Sequence, residues 1–152
     1  MERERIGMIY LDNCATTEVD IDVADSAYKM MTECYGNASS PYGFGRDALH
    51  KITEARYQVA QVIAAPTERV FFTSGGTEAI QGSLGTFAAK GKIITTSIEH
   101  ASVLDACKYM GLQGYEVVFV SPRNGKIEAK DIIDQVDKDT RLVSVMAVNN
   151  ET

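Results

Sequence analysis

Lys92-Ile93-Ile94-Thr95 and Glu116-Val117-Val118-Phe119-Val120 are two β-branched runs with a helix-length interval between them. Val70-Phe71-Phe72-Thr73 precedes them, and Leu142-Val143-Ser144-Val145-Met146-Ala147-Val148 follows after a second such interval. Helical stretches near 77–89, 101–111 and 129–136 fill the gaps. Strands alternating with helices imply βαβ units, because a parallel return needs a crossover long enough to hold a helix. The predicted class is therefore α/β, with a mostly parallel sheet and flanking helices. The last run is apolar on nearly every residue, as expected of a central strand covered on both faces.

Upstream the pattern changes. Met8-Ile9-Tyr10-Leu11 is a short extended candidate, and Asp20 or Asp22 caps a predicted helix running to about Tyr35, with Gly36 as its stop. Ala48, Leu49, Ile52, Ala55, Val59, Val62 and Ile63 recur on one helical face until Pro66 ends the stripe. The organisation expected is one domain-sized unit over 1–152. It has an amino-terminal segment (1–20), a helical segment (21–66) and an alternating segment (67–152).

Composition narrows the function. The 152 residues carry 15 Lys and Arg against 21 Asp and Glu, a formal charge of −6, and 45% are hydrophobic. An acidic chain without a Lys/Arg run is a poor match for nucleic-acid backbones or anionic membrane surfaces. The 3 cysteines, Cys14, Cys34 and Cys107, form no C-x-x-C pair, which fits reduced thiols and a cytoplasmic setting. No segment approaches the roughly 20 apolar residues of a membrane span.

Three polar clusters fall at predicted strand ends. Thr73-Ser74-Gly75-Gly76-Thr77-Glu78 joins a strand to a helix. The unpaired N–H groups of a helix start and the positive end of its dipole make a phosphate cradle, to which Thr77 adds a hydroxyl. The same residues also suit a glycine-rich turn capped by Ser74 or Thr77. Ser97-Ile98-Glu99-His100-Ala101-Ser102 sets His100 at a strand's carboxyl end, where an imidazole can stack on a flat ring, shuttle a proton or simply cap a helix. The other histidine, His50, reads as a surface residue. Val148-Asn149-Asn150-Glu151 offers two amides that can orient a carboxylate or a phenolic oxygen, or form an Asx turn.

These clusters, together with Leu11-Asp12-Asn13-Cys14-Ala15-Thr16-Thr17, Gly36-Asn37-Ala38-Ser39-Ser40 and Glu99-His100-Ala101-Ser102-Val103-Leu104, occur in the order found in the NifS/IscS-type cysteine desulfurases. The chain resembles the amino-terminal half of that family, pyridoxal-phosphate enzymes of the class V aminotransferase group and PLP fold type I. The resemblance implies that Gly76 and Thr77 hold the cofactor phosphate. It implies that His100 stacks on the pyridine ring and takes part in proton transfer, and that Asn150 lies near the cofactor hydroxyl and the substrate carboxylate. Asn13, with the segment to Thr17, would border the substrate entrance. No metal site is implied.

The chain also departs from the family. Ala38 stands where many members have proline, Tyr42 where many have histidine, and Ala79-Ile80-Gln81-Gly82 where an Asp/Asn pair is usual. Ala147 replaces a common histidine. The family's Asp beside the pyridinium, its Gln, its Schiff-base Lys in Ser-x-His-Lys and its nucleophilic Cys all match no position in this sequence.

The resemblance thus implies the amino-terminal part of a split desulfurase, inactive alone and completed by a complementary carboxyl-terminal half. The completed unit would dimerise and release sulfur from L-cysteine as enzyme persulfide plus alanine. That sulfur would pass to an acceptor protein, as in iron–sulfur cluster assembly. A degenerate, non-catalytic scaffold subunit and a truncated fragment of a full-length desulfurase are the other readings. The family's strand order, carried over by the resemblance, implies that this chain alone would leave an apolar sheet edge open.

Overall fold

Strand β1 (Lys92–Thr96) is buried at every position, because it is hydrogen-bonded on both edges. It pairs in parallel with β2 (Glu116–Val120) and with β3 (Thr140–Val143), in the order β2-β1-β3. The computed structural model describes residues 9–87, 90–149 and 151. It divides into two compact units, one up to Phe72 and one from Thr73 onward.

The second unit is the predicted α/β sandwich. Helix α3 (Gly76–Phe87) leads into β1, α4 (Ala101–Leu112) connects β1 to β2, and α5 (Ala129–Ile133) connects β2 to β3. Side chains alternate across a strand, so neighbouring residues of β1 serve opposite cores. Ile93 packs with Leu84 of α3 and with Val103, Ala106, Cys107 and Met110 of α4. Ile94 packs on the other side with Val120 and Ile132. Burying side chains of this size stabilises the fold by roughly 1.5–3 kcal/mol each.

The strand starts are locked by polar groups. Lys92, 8% exposed, sets its ammonium 3.0 Å from Asp137 and 4.0 Å from Glu116. The same Asp137 accepts from the Asp139 N–H and the Thr140 hydroxyl, and the Lys92 ammonium holds its carboxyl below the usual range. A register shift between Lys92 and Ile93 puts one extra residue, Arg141, into β3. Its side chain lies over Gly91, where the absence of a Cβ permits the close approach.

The first unit, described by itself, contains α1 (Ile21–Glu33), α2 (Gly43–Val62) and a single 3-10 turn (Thr67–Arg69). Asp20 caps α1, accepting the Asp22 N–H at 2.9 Å, as its sequence position suggested. The Gly36–Gly45 loop is tight: a Cβ on Gly45 would overlap the Ser40 carbonyl oxygen and come within 2.6 Å of that of Asn37. The apolar stripe of α2 buries Ala48 and Ala60 but leaves Leu49, Ile52, Val59 and Val62 exposed.

Two expectations are corrected, and for one reason. Val70–Thr73 is not a strand; Val70 has extended angles (φ −96°, ψ 121°), yet no ladder partner exists among the described residues. Arg56 donates to the Val70 carbonyl at 3.1 Å and lies over the Phe72 ring, while Phe71 remains 81% exposed. The Leu142–Val148 run is likewise an edge strand that regular pairing leaves after Val143. Val143, Val145 and Val148 are exposed rather than covered. A strand is defined by its neighbours, and among the described residues neither Val70–Thr73 nor the run past Val143 has a ladder partner.

Smaller differences sit at helix ends: α1 stops at Glu33 with Cys34 as its cap, and α5 ends at Ile133 where successive turns replace it. The expected strand at 8–11 begins at Met8, outside the described residues, and residues 9–11 carry no ladder. Residues 88 and 89 of the expected third helix also lie outside them. Among the described residues, no helix is long and apolar enough to cross a membrane.

Gly91→Ala tests the strand-start packing. Its Cβ would come within 2.7 Å of the Asp139 carbonyl oxygen, and overpacking of this kind costs about 1–3 kcal/mol. The denaturant midpoint is expected to fall accordingly, whereas an unchanged midpoint would show that β3 can move aside.

Candidate active site

Three of the sequence-predicted clusters fall in the second unit. Helix α3 is 12 residues long, about 18 Å at 1.5 Å per residue, which matches the length of the short strands. It joins β1 at its carboxyl end and packs on α4, and this sets its first turn toward the end of the sheet where β1 releases the chain to His100.

At that first turn the Ala79 N–H donates to the Gly75 carbonyl at 3.1 Å, which makes Gly75 the cap and leaves the N–H groups of Gly76, Thr77 and Glu78 as the free helix start. A Cβ on Gly75 or on Gly76 would meet nothing within 4 Å, so the approach to those donors is open. Thr73 donates its hydroxyl to the Gly75 carbonyl at 3.1 Å. The Glu78 carboxylate turns back to accept the Ser74 N–H at 2.6 Å and the Ser74 hydroxyl at 2.7 Å. Those two bonds hold its carboxyl below the ordinary range. Glu78 thus fixes the loop through Ser74 and leaves the amides of Gly76, Thr77 and Glu78 open to an outside anion.

His100 is the N-cap of α4 (φ −58°, ψ 147°). Its Nδ1 accepts the Ser102 N–H at 3.2 Å and lies 2.7 Å from the Ser102 hydroxyl. A nitrogen that accepts a backbone N–H carries no proton of its own, so the neutral ring bears its proton on Nε2. The ring is exposed, with its faces and Nε2 edge uncommitted to the cap. Capping and stacking are therefore compatible, since they use different parts of the imidazole.

Asn149 donates through Nδ2 to the Ile98 carbonyl at 2.7 Å and accepts the Glu151 N–H at 2.7 Å, which is an Asx turn. Asn150 lies outside the described residues. Asn13 belongs to the first unit, exposed in a turn after Asp12 and lining a shallow hollow with Tyr10, Thr16, Thr17 and Glu18. His50 is exposed on α2.

Two carboxylates that the sequence reading passed over organise these turns. Glu78 sits at the third position of α3, a place where an acid commonly reaches back to the preceding loop. Glu99 is buried between Ile98 and His100, and an acid in a turn right after an apolar strand is the signal for it. The cysteines divide by environment: Cys14 is exposed, Cys34 half-buried and Cys107 fully buried. Burial, and secondarily the Glu99 charge, push the Cys107 thiol up, which keeps it protonated.

The residues present fit a phosphate monoester carrying a flat ring. An open helix start with three amide donors and the Thr77 hydroxyl suits the phosphate, and an exposed imidazole at the same end of the sheet suits the ring. The Thr95 hydroxyl, within strand β1 and ahead of the turn that carries His100, is buried without a hydrogen-bond partner among the described residues.

Comparison with known proteins gives this arrangement a context. Residues 9–152 match the aminotransferase class-V family, and the chain belongs to that family. It is 41% identical over 152 residues to cysteine desulfurase 2 of Trichormus variabilis, covering 97% of this chain and 38% of that protein. It is 43% identical to the cysteine desulfurase IscS of Escherichia coli, again over 38% of the relative. Among solved structures, a NifS-like protein superposes with a TM-score of 0.88 at 41% identity, over 94% of this chain and 41% of that one. The chain thus spans about two-fifths of the length of these relatives and matches their amino-terminal part.

The Glu78 contact is open to direct measurement. Its lowered pKa means that the bonds to Ser74 persist through neutral and mildly acidic pH and are lost only as pH falls through that lowered value. The Ser74 amide proton shift is expected to titrate below the ordinary carboxylate range, and Glu78→Gln is expected to abolish the inflection. An inflection at or above the ordinary range would contradict the bonded geometry.

Proposed function

We propose that this chain supplies the phosphate grip and the ring-facing histidine of a cysteine-desulfurase-type pyridoxal-phosphate site. The observation that carries the reading is the open first turn of α3, with Gly76 and Thr77 as donors, at the same end of the sheet as the exposed His100 ring. When bound, pyridoxal phosphate supplies an electron sink for bonds broken at an amino acid's α-carbon.

The chain's own groups then have distinct tasks. Gly76 and Thr77 bind the phosphate through N–H and hydroxyl donors, with the helix dipole favouring its charge. His100 orients the ring through its face and presents its Nε2–H edge for proton transfer, because Nδ1 is held as an acceptor by Ser102. Asn150 orients the cofactor hydroxyl and the substrate carboxylate, and Asn13 borders the substrate. None of the three thiols here is the sulfur acceptor, and the buried, protonated Cys107 is the least suited.

The Schiff-base Lys, the acid beside the pyridinium and the nucleophilic Cys belong, on this reading, to a complementary carboxyl-terminal half. Two features support such a completing half: the outer edge of β3 and the extended Val70–Thr73 segment both carry exposed apolar side chains and lack ladder partners among the described residues. The completed unit releases sulfur from L-cysteine as a persulfide on that half, leaving alanine, and pairs as a dimer. A cytoplasmic sulfur-acceptor protein would take the sulfur onward.

Co-expression with a chain bearing Ser-x-His-Lys tests this. A stable complex with the visible absorption of bound pyridoxal phosphate is expected, and Thr77→Ala with His100→Ala together are expected to remove the colour without dissolving the complex. A colourless complex that still captures a sulfur-transfer protein would establish a scaffold and overturn the reading.

A further inference from the structure

Regular pairing between β1 and β3 stops at Val143, yet the segments that follow them stay joined for several residues more. The Ser144 N–H donates to the Ile94 carbonyl at 2.9 Å, the Met146 N–H to Glu99 Oε1 at 2.7 Å, and Asn149 Nδ2 to the Ile98 carbonyl at 2.7 Å. Beyond the ladder, side chains of Glu99 and Asn149 stand in for the missing backbone partners.

Of these, Glu99 is the unusual one. It is only 7% exposed, and an unpaired buried carboxylate is costly. It is retained here with hydrogen-bond donors in place of a cation: one oxygen accepts both the Met146 N–H and the Thr96 hydroxyl, the latter at 3.0 Å. Charge-assisted bonds to a carboxylate are shorter and stronger than neutral ones. The residue that follows it is His100, and the residues that follow Met146 lead to the Asn149–Asn150 pair.

We infer that Glu99 is a positioning residue, whose buried carboxylate ties the His100 turn to the segment after β3 and so fixes the imidazole relative to the turn that carries Asn149. This deepens the cofactor reading above and rests on it for its functional meaning. The geometry also explains why an acid is used. Glutamine keeps the accepting oxygen but weakens the bonds, and an apolar residue would leave the Met146 amide and the Thr96 hydroxyl without an acceptor.

Residue-resolved amide exchange and histidine ring spectra of the 152-residue chain, without cofactor, read the tether directly. The chain has only 2 histidines, and His50 on α2 serves as an internal reference. Glu99→Leu is expected to speed exchange at Met146 by about tenfold to a hundredfold, leaving Ile94 and Thr95 protected as before. It should also shift the His100 ring signals and leave those of His50 in place. Glu99→Gln is expected to recover most of the Met146 protection and return His100 toward its original shifts.

Unchanged Met146 exchange in Glu99→Leu overturns the inference. So does a proportional rise at Ile94 and Thr95, which would mean that the carboxylate merely holds the fold. If Glu99→Leu does not fold, Thr96→Val replaces it: faster Met146 exchange with a His100 shift supports the tether, and no change in either overturns it. Because no cofactor is present, Met146 exchange unchanged by Glu99→Leu alongside an intact coloured complex would sink this inference alone. An intact tether with a colourless complex would sink the cofactor reading alone.

Discussion

The hydrogen-bonding of β1 on both edges is the constraint from which the rest of the α/β unit follows. Parallel pairing with β2 and β3 makes all three strands release the chain at one end, and the crossover helices must then return along the faces. The turn after β1 carries His100, the segment after β3 carries Asn149, and α3 brings its first turn to the same end. No single motif specifies that gathering; the ladder does. At the opposite end, Lys92 with Asp137 and Glu116 closes the strand starts, so the polar groups at the two ends have different work to do.

Much of the local structure in both units was legible in the residues. The runs at 92–95 and 116–120 became β1 and β2 because β-branched side chains suit a strand whose partners are close in sequence. Asp20 became a helix cap because capping is local chemistry. Val70–Thr73 failed as a strand for the converse reason: its composition suits a ladder, but a ladder needs a neighbour, and none lies among the described residues. The Leu142–Val148 run failed in the same way past Val143. In both cases the sequence carries a strand preference that no ladder partner among the described residues meets.

The site was legible in part. The strand-end positions of the Gly75–Thr77 and His100 clusters could be read from spacing, but the division of labour within them could not. Whether His100 caps or stacks looked like a choice until the bonds to Ser102 assigned the cap to Nδ1 and left the faces of the ring exposed. Glu78 and Glu99 were passed over because a carboxylate's role depends on which amides reach it. The Met146 N–H that meets Glu99 comes from a strand connection far along the chain. Only the folded register brings those two groups together.

The most direct test of the account is hydrogen exchange on the completed unit with and without pyridoxal 5'-phosphate. The account predicts that residues 74–78 and 98–102 slow together on binding, while the 121–128 connection between β2 and α5 is unaffected. Protection confined to one of the two turns, or arising elsewhere in the chain, would contradict the claim that phosphate grip and ring-facing histidine form one site.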